Sequence, residues 1–458
     1  MTDHAIIAEL AALLDAAQLA AGDAALAFDR DHSDGTGQGV PIAAVFPTST
    51  EQVAAVVRLA AKHGVPIVPQ GTRSGLAGGA NAVDGCLLLS LEGMTSILSI
   101  DVADQVVTTQ AGVITFELAR AVAERGLFYP PDPGSWAIST IGGNIATNAG
   151  GMRCVKYGVT GDFVRELTVV LASGEIIRTG HRTVKGVAGL DLTSLIVGSE
   201  GTLGIVTEAT LALLPTPGEP CGVLAAFPSP SQALAAADAI MASGRRPSIL
   251  EYLDAGTIAA ISSFSPSSRL PAGAGAALII QSDEAGRAAD DAEEYAAIAV
   301  ACGATTVDIA QDAAAVDAIM EARRMLHGAM RAVAGASLNE DVSVPRSRLA
   351  ELLKGIAVIG QNAGVDIFSA GHIGDGNLHP IICFDPADAA AVATANDTYQ
   401  HVIALAISLG GTASGEHGIG SLKRAHLDAE LGPTVRQLQR SVKHAFDPAG
   451  LLNPGKKL

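Results

Sequence analysis

The chain has few cysteines and few basic residues for its length, and both scarcities exclude whole classes of protein. Its cysteines are odd in number, widely scattered and never spaced as C-x-x-C: Cys86, Cys154, Cys221, Cys302 and Cys383. A disulfide framework, a thiolate zinc site and an iron–sulfur cluster are therefore not expected. The 29 Lys and Arg residues face 47 Asp and Glu residues, which leaves a formal charge of −18. This charge argues against nucleic acid or an anionic membrane surface as a partner.

Long apolar runs are also missing. No stretch reaches the roughly 18 to 20 consecutive apolar residues that a membrane-spanning helix needs. The N-terminal segment MTDHAIIAELAALLDAAQLAAGD carries Asp3 and Glu9 where a signal peptide would carry basic residues, and its apolar positions recur at helical spacing. We therefore expect an amphipathic N-terminal helix, no membrane span and a cytoplasmic protein.

The length and the apolar content of the chain predict more than one domain. A chain of 458 residues, 48% of them hydrophobic, is too long for one ordinary core and is expected to form two or three domains. Three prolines within LLPTPGEP, residues 213–220, mark a boundary. We predict a lead-in with the N-terminal helix at 1–40, a first domain at 41–217, a second at 218–410 and a C-terminal segment at 411–458.

The local patterns indicate an α+β fold. In STEQVAAVVRLAAKHG a capping pair, Ser49 and Gln52, begins a helix that ends at Gly64, and RELTVVLASGEIIRTG predicts a hairpin that turns at Ser173 and Gly174. Beyond residue 220 the predicted order is β-α-β-β-α, which suggests a second sheet covered by helices on one face. We expect the proline-rich C-terminal tail to be irregular and pinned against another part of the fold.

Three glycine-rich loops in the first half indicate a phosphate-containing ligand. PQGTRSGLAGGA (69–80) follows a predicted strand, and its backbone N–H groups could form an anion-binding nest. It matches neither common glycine fingerprint for phosphates, so this loop alone could equally be a flexible surface loop. Two further stretches have the same glycine-rich character: STIGGNIATNAGG (139–151) and VGSEGTLGIVTEATLALLP (197–215). Together the three loops favour a large, flat, phosphate-containing cofactor.

Two histidine-containing loops in the second half indicate a metal site. GHIGDGNLH places His372 and His379 among glycines, and SGEHGIG places Glu416 beside His417. Two imidazoles and one carboxylate leave coordination positions open, as in reactive metal sites. The alternative is that the histidines only hydrogen-bond local turns, but two of them together with a Glu-His pair favour a metal.

With both sets of loops in view, the chain resembles the FAD-linked 2-hydroxyacid dehydrogenases of the vanillyl-alcohol-oxidase (PCMH-type) flavoprotein superfamily. The D-lactate dehydrogenases, the FAD subunit of glycolate oxidase and the D-2-hydroxyglutarate dehydrogenases are similar in pattern. The resemblance runs from about residue 40 to the C-terminus. It rests on PQGTRSGLAGGA, PPDPGSWAISTIGGNIATNAGG, GSEGTLGIVTEATLALLP, GHIGDGNLH, SGEHGIG and FDPAGLLNPGK, in the family's order.

The resemblance implies a PCMH-type FAD-binding domain at 41–217, a substrate-binding or cap domain at 218–410 whose antiparallel sheet is covered by helices, and a C-terminal segment that returns to the metal and flavin site. It also implies noncovalent FAD, since GTRSG lacks the His or Cys used for covalent attachment. The implied cofactor-binding residues are Pro69, Gln70, Gly71, Thr72, Arg73, Ser74, Gly75 and Gly78 around the pyrophosphate; Pro131, Asp132, Pro133, Ser139, Gly142, Gly143, Asn144 and Asn148 along the cofactor; Glu200, Gly201, Gly204 and Ile205 toward the adenine; and Asn453 near the isoalloxazine.

For the substrate half, the resemblance implies that His372, His379 and Glu416 bind a divalent metal. Zinc is favoured, with manganese or iron as alternatives. His417 would face the substrate as the catalytic base, and Arg323 would bind the substrate carboxylate, with the adjacent Arg324 as the alternative. The 2-hydroxyglutarate enzymes have a Lys and an Asn where this chain has Asn339 and Ile381. Both differences disfavour a substrate with a second carboxylate.

The expected function is oxidation of a small D-2-hydroxy acid to the 2-oxo acid, D-lactate being favoured and glycolate next. The substrate C–H would leave as hydride to flavin N5. Electrons would pass to a non-NAD acceptor such as a quinone, a cytochrome or an electron-transfer flavoprotein. The alternatives are a D-2-hydroxyglutarate dehydrogenase, an oxidase that uses O₂, a noncatalytic FAD-binding subunit and a structural zinc protein without flavin. A homodimer is a further expectation that the sequence leaves open.

Overall fold

The computed structural model describes residues 2–33, 36–266 and 269–458. Up to residue 215 the elements, in chain order, are α1 (Thr2–Leu13), β1 (Leu19–Ala21), β2 (Ala43–Val45), α2 (Thr50–His63), β3 (Ile67–Gln70), β4 (Leu87–Ser90), β5 (Ile97–Asp101), β6 (Val106–Gln110), α3 (Thr115–Ala123), β7 (Leu127–Phe128), α4 (Ile141–Thr147), α5 (Cys154–Tyr157), α6 (Thr160–Phe163), β8 (Val164–Val170), β9 (Ile176–Gly180), α7 (Leu192–Ile196), β10 (Ile205–Ala212) and β11 (Leu214–Pro215).

The remaining elements are β12 (Cys221–Phe227), α8 (Pro230–Ala242), β13 (Ile249–Asp254), α9 (Ala255–Phe264), β14 (Ala276–Ser282), α10 (Ala288–Ala301), β15 (Thr306–Ala310), α11 (Ala313–Arg324), α12 (Leu326–Ala334), β16 (Ala336–Asn339), β17 (Val342–Ser343), α13 (Leu349–Ala363), β18 (Ile367–Gly371), β19 (Asn377–Phe384), α14 (Ala389–Ser408) and α15 (Leu427–Phe446), which is kinked at Gly432. Short 3₁₀ turns occur at Ala16–Gln18, Gly22–Phe28, Arg346–Arg348 and Arg424–His426.

The chain divides into two compact units. The first contains residues 1–150, 159–216 and 416–458, and the second contains residues 151–158 and 217–415. Among the helices in the described ranges, none has both the length and the apolar character that crossing a membrane requires.

The first unit is built on two main sheets. One has the order β1-β2-β4-β3, in which β2, β4 and β3 are parallel, and the other is antiparallel with the order β5-β6-β10-β8-β9. Helix α2 begins as the sequence predicts, because the Ser49 hydroxyl accepts a hydrogen bond from the Gln52 amide at 3.2 Å, and it ends at Gly64 in the left-handed conformation. The predicted hairpin is β8 and β9, paired antiparallel. Apolar residues of α1, α2, β2, β3 and β4 form one core.

The second unit is built on one antiparallel sheet with the order β15-β12-β14-β13-β18-β19-β16, in which β17 also pairs with β19. The predicted order β-α-β-β-α is wrong, because α9 lies between β13 and β14. Asp254 is the last residue of β13 and also the N-cap of α9, since its carboxylate accepts from the Thr257 amide at 2.7 Å. No loop separates the strand from the helix, so the sequence gives no sign of where the helix begins.

The expectation that helices cover only one face of this sheet is also wrong. Leu224, Ile249 and Ile279 share an apolar cluster with residues of α9, α11 and α12. Their strand neighbours, including Val223 and Ile280, point to the opposite face and are also fully buried. Helices α8 and α10 contact the same strands. The central strands therefore read as continuous apolar runs because both faces are covered.

Candidate functional site

The first glycine loop leaves β3 and is tied down at both ends. The Gln70 side-chain amide donates to the carbonyl oxygens of Phe28 at 2.9 Å and Ala80 at 2.7 Å. Arg73 adopts a positive φ of 60°, pairs with Glu92 at 2.5 Å and lies over the Phe28 ring. Both side chains therefore fix the shape of the loop.

Two glycines of this loop are required by close contacts. A Cβ atom on Gly71 would collide with the Thr140 hydroxyl, and one on Gly78, whose φ is +75°, would lie 2.5 Å from the Ser421 hydroxyl. A Cβ atom on Gly75 would meet only the Asp31 carboxylate, at 3.4 Å. The structure therefore shows which glycines of this loop cannot carry a side chain, which the sequence alone does not reveal.

Helix α4 carries the second glycine loop against the first. Thr140 caps the helix by accepting from the Gly143 amide at 3.2 Å, and a Cβ atom on Gly142 would lie 2.7 Å from the Ala111 side chain. Three hydrogen bonds fix the predicted cofactor-binding residues in place. The Asn144 side chain donates to the Thr115 hydroxyl at 2.7 Å, the Asn148 side chain accepts from the Gly161 amide at 2.8 Å, and the Thr72 hydroxyl donates to the Ile138 carbonyl at 2.6 Å. Ser139, Pro131, Asp132 and Pro133 are buried, and Ser74 is half-buried.

Glu200 joins the third loop to the C-terminal segment of the same unit. Its carboxylate, 6% exposed, accepts from the backbone amides of Ile419 at 2.8 Å and Gly420 at 2.7 Å. Lys457 lies 3.3 Å from the same carboxylate. Glu200 was predicted to contact the cofactor, and in the structure its side chain binds the chain's own backbone.

Neighbours of Glu200 pack closely. A Cβ atom on Gly201 would collide with the Pro69 ring, one on Gly204 would lie 2.5 Å from Val169, and Ile205 is buried as the first residue of β10.

The C-terminal tail is pinned within the first unit, as the sequence predicts. Leu452 forms a bridge with Ile67 of β3, and the Asn453 amide donates to the Ile67 carbonyl at 2.8 Å. The Asn453 side chain donates to the carbonyl oxygens of Gly79 and Glu200. The tail thus touches two of the three glycine-rich loops, so these predicted cofactor residues form one contiguous group.

In the second unit, His372 and His379 lie side by side. Strands β18 and β19 form an antiparallel hairpin in which Ala370 faces His379, and His372 follows directly after β18. The imidazole rings are perpendicular with centroids 5.2 Å apart, and both residues are almost fully buried. Gly371 and Gly376 allow this tight turn, because a Cβ atom on Gly371 would lie 2.6 Å from the Asn377 carbonyl and one on Gly376 would meet the Val344 carbonyl.

Each imidazole is held through its Nδ1 atom. The Nδ1 of His372 contacts the Glu251 carboxylate, and the Nδ1 of His379 lies 3.2 Å from the Glu340 carbonyl oxygen and 3.9 Å from the Asp341 carboxylate. An imidazole whose Nδ1–H donates to an oxygen presents its lone pair on Nε2, which is the arrangement that metal-binding histidines use. Both rings are therefore buried with Nδ1 beside an oxygen, and this placement suits a metal on Nε2.

Glu251 links the histidine pair to Arg323. Its second carboxylate oxygen accepts from the Arg323 Nε at 2.6 Å, and the residue has no solvent exposure. Burial raises the pKa of Glu251, but its interactions with His372 and Arg323 outweigh this effect and lower the pKa to about 2. Arg324 instead pairs with Asp317 at 2.9 Å and its side chain is 51% exposed. Of the two adjacent arginines, Arg323 is therefore the one that contacts Glu251 in the described part of the chain.

Asp341 anchors the chain that precedes the Glu-His pair. Its carboxylate accepts from the Asn377 amide and the Ser414 hydroxyl, both at 2.8 Å, and its carbonyl accepts from the Gly415 amide at 3.3 Å. Glu416 and His417 follow Gly415 in sequence and begin the last segment of the first unit. The Glu416 carboxylate lies 3.7 Å from the His417 Nε2, and both side chains are largely buried.

Sequence reasoning missed Glu251 and Asp341. The available signal was a charged residue within a short apolar strand, SILEYL, and an acidic pair within NEDVSVP. A buried carboxylate must be paired, so each predicts a buried partner without identifying it.

Comparisons with known proteins bear on both halves of the chain. A family described as "FAD binding domain" matches residues 41–180, and one described as "FAD linked oxidases, C-terminal domain" matches residues 217–457. This FAD-linked oxidase match covers more than half of the chain. The chain belongs to the FAD-linked oxidases.

Curated relatives agree with this assignment. The FAD-linked oxidase is 41% identical over 420 residues to "Glycolate oxidase subunit GlcD" of Bacillus subtilis, which covers 92% of this chain and 89% of that one. It is 36% identical over 437 residues to "D-lactate dehydrogenase" of Anaerostipes hadrus, which covers 94% and 92%. The chain is therefore an FAD-linked oxidoreductase of the glycolate oxidase and D-lactate dehydrogenase type, and the prediction of FAD is confirmed.

Solved structures confirm the fold class. The FAD-linked oxidase matches p-cresol methylhydroxylase with a TM-score of 0.83 at 17% identity, over 100% of this chain and 96% of that one. It matches 4-ethylphenol oxidase of Gulosibacter chungangensis with a TM-score of 0.80 at 19% identity, over 100% and 97%. At these identities the likeness shows the fold alone, which is the predicted α+β fold with a PCMH-type FAD-binding domain.

Proposed function

We propose that this FAD-linked oxidase oxidises a small D-2-hydroxy monocarboxylate to the 2-oxo acid, with D-lactate favoured and glycolate next. The observation that carries the proposal is the buried group formed by His372, His379, Glu251 and Arg323. It combines two buried imidazoles, each with Nδ1 beside an oxygen, with a guanidinium suited to a carboxylate. A 2-hydroxy acid offers both functions, a hydroxyl for the metal and a carboxylate for the arginine.

We propose that the metal ligands are the Nε2 atoms of His372 and His379 and the carboxylate of Glu416. The first two are supported by their burial and by the oxygens that hold their Nδ1 atoms. Glu416 is supported by chain continuity. It is bonded to Gly415, whose amide donates to the carbonyl of Asp341, and the Asp341 carboxylate is 3.9 Å from His379. Consecutive Cα atoms are about 3.8 Å apart, so this attachment limits how far Glu416 can lie from His379.

In the proposed reaction, the chain's residues bind the substrate and move one proton. Arg323 holds the carboxylate, and His417 accepts the hydroxyl proton, since an imidazole titrates near neutral pH. When bound, a divalent metal would lower the pKa of the substrate hydroxyl and FAD would accept the hydride at N5. Zinc, manganese and iron all suit two imidazoles and a carboxylate, with zinc favoured.

The cofactor is proposed to lie noncovalently along the three glycine-rich loops, with the residues listed for it above as its contacts. The support is that loop 69–80, α4, Glu200 and Asn453 are in direct contact with one another. A non-NAD acceptor (a quinone, a cytochrome or an electron-transfer flavoprotein), a homodimer, a cytoplasmic location and the domain limits given above stay predictions.

The proposed monocarboxylate specificity is supported by the residues beside His379. Ile381 lies two residues further along β19 and so on the same face of the sheet, within an apolar cluster. Asn339 is its partner on β16. A distal carboxylate buried here without a cation would be costly, whereas a methyl group would be accommodated.

Turnover measurements test the proposal. We expect kcat/KM with an artificial acceptor to be highest for D-lactate or glycolate, lower for L-lactate and lowest for D-2-hydroxyglutarate. A preference for D-2-hydroxyglutarate would overturn the specificity, and faster turnover with O₂ than with the acceptor would make the enzyme an oxidase.

Metal analysis tests the ligand set. We expect H372A and H379A to lose bound divalent metal and turnover but to keep FAD, and H401A, an exposed histidine of the same unit, to keep all three. Active wild-type protein without metal would refute this part of the proposal.

A further inference from the structure

Glu251 is a single carboxylate in an otherwise apolar stretch of the sheet. It lies at the centre of β13, and its neighbours on the same face, Ile249 and Leu253, belong to the apolar cluster. A carboxylate with no solvent exposure is strongly disfavoured unless it is paired. Its pairing is complete, because one oxygen contacts His372 and the other accepts from Arg323 at 2.6 Å.

The two partners of Glu251 have different chemistry. A carboxylate on the Nδ1 of His372 fixes the direction of the ring and increases the basicity of Nε2. A carboxylate on the Nε of Arg323 uses the side edge of the guanidinium and leaves its end, with both terminal nitrogens, in a fixed orientation that suits a second carboxylate. The partners come from residues 121 and 72 positions away in sequence.

We propose that Glu251 is a positioning residue that sets the metal ligand His372 and the substrate-binding Arg323 in one geometry. This inference rests on the proposed function and deepens it. The affinity for the metal and the affinity for the 2-hydroxy acid then depend on the same carboxylate. Binding of either should favour the ring and guanidinium orientations that the other requires.

The experiment uses the full-length flavoprotein and the variants E251Q, E251D, H372A and R323A. Affinity for Zn²⁺ is measured by chelator competition, FAD by absorbance, and kcat and KM with D-lactate or glycolate. We expect E251Q to keep FAD, to bind Zn²⁺ about 10- to 100-fold more weakly and to show a raised KM at saturating Zn²⁺. R323A should raise KM with little change in Zn²⁺ affinity, so that of these two variants E251Q is the one that changes both.

The matched control is D254N, on the same strand. Asp254 is a half-buried acid that caps α9 and accepts from the Ser369 amide at 2.7 Å. We expect D254N to lower thermal stability while Zn²⁺ affinity and KM stay as in the wild type, which separates positioning from general destabilisation. E251D, which retains the charge one methylene shorter, should be intermediate, and it provides the test if E251Q does not fold.

The outcomes distinguish this inference from the proposed function. If H372A loses Zn²⁺ but E251Q and E251D bind it as tightly as the wild type, the role of Glu251 is refuted and the metal site stands. If the Glu251 variants weaken Zn²⁺ binding but leave KM unchanged, the link to Arg323 is refuted. If H372A binds Zn²⁺ as the wild type does, the proposed metal site is wrong and the inference fails with it.

Discussion

The side chain of Asn453 donates hydrogen bonds to the carbonyl oxygens of Glu200 at 2.7 Å and Gly79 at 3.0 Å. The first of these bonds spans 253 residues of sequence and the second spans 374. Asn453 is 2% exposed and adopts a positive φ of 42°. One residue near the C-terminus therefore ties together two loops proposed to bind FAD, and the last residues of the chain are part of the first unit.

We expect N453A to release the tail from these loops. The two carbonyl oxygens would lose their partner while buried, at a cost of about 1–3 kcal/mol in the free energy of unfolding. FAD content after purification should also fall. Both are measured by urea unfolding and by absorbance. N396A is the control, because the Asn396 side chain, at a half-buried site, donates to the Val392 carbonyl of its own helix; an equal effect in N396A would contradict the assignment.

Gly78 provides a second test of loop 69–80, which is proposed to bind FAD. Gly78 and Gly85 both have positive φ, of 75° and 71°, so alanine at either position carries a similar backbone strain of about 1–2 kcal/mol. At Gly78 the new Cβ would lie 2.5 Å from the Ser421 hydroxyl, whereas at Gly85 it would meet no described residue within 4 Å. We expect G78A to lose FAD and G85A to retain it, with flavin stoichiometry as the measurement. Equal flavin content in the two variants would show that the close approach of Gly78 to Ser421 is not needed for FAD binding.

Local signals account for what could be predicted from the sequence. Ser49 and Gly64 delimit α2 because a cap and a left-handed terminus act within one turn of the helix. The glycine-rich loops and the pair His372 and His379 could likewise be found, since their spacing is short. Helix α9 could not, because Asp254 ends a strand and caps a helix at the same residue.

The role of Glu251 depends on contacts that no local pattern contains. Its partners lie on α11 and after β18, 72 and 121 residues away. Arg323 and Arg324 are equivalent in sequence, and only the direction of α11 in the fold turns one inward and the other to solvent. Such choices are made by tertiary packing, which a single sequence does not specify locally.

The adjacent arginines give a matched pair of variants. We expect R323A to destabilise the protein by about 3–5 kcal/mol, because it leaves the Glu251 carboxylate buried with one charged partner fewer. It should also raise KM for the 2-hydroxy acid. R324A removes a pair in which both side chains are exposed, so its stability should change by less than about 0.5 kcal/mol. The measurements are chemical unfolding and steady-state kinetics. A higher KM in R324A than in R323A would reverse the assignment.

Tyr157, in segment 151–158, is expected to make the protein less stable at high pH. The Tyr157 hydroxyl donates to Asp283 at 2.7 Å, and burial, then this bond and the charge of Asp283, raise the pKa of Tyr157 to about 12. An unfolded tyrosine ionises near pH 10, so between pH 10 and about 12 the unfolded state releases a proton that the folded state retains. The contribution of Tyr157 is therefore complete below pH 10 and lost as the pH rises through this window.

We expect urea midpoints to fall more steeply between pH 10 and 11.5 in the wild type than in Y157F, which cannot ionise at this position. Measurements of both proteins at pH 8, where tyrosine is neutral in both states, give the baseline for the lost hydrogen bond. Parallel pH profiles for the two proteins would show that Tyr157 does not carry this effect.

The last prediction concerns the choice between monocarboxylates and dicarboxylates. Asn339 and Ile381 are direct partners on neighbouring strands, and the Oδ1 atom of Asn339 is buried with no hydrogen-bond partner among the described residues. In N339K a cation would stand at this position. A charge-assisted hydrogen bond contributes roughly 1.5–3 kcal/mol, so we expect kcat/KM for D-2-hydroxyglutarate relative to D-lactate to rise about tenfold or more. N339M is the control, because its side chain is long but uncharged and should leave the ratio unchanged or lower. If N339M raises the ratio as much as N339K, the effect comes from space and not from charge. If neither variant changes it, Asn339 does not face the distal end of the substrate.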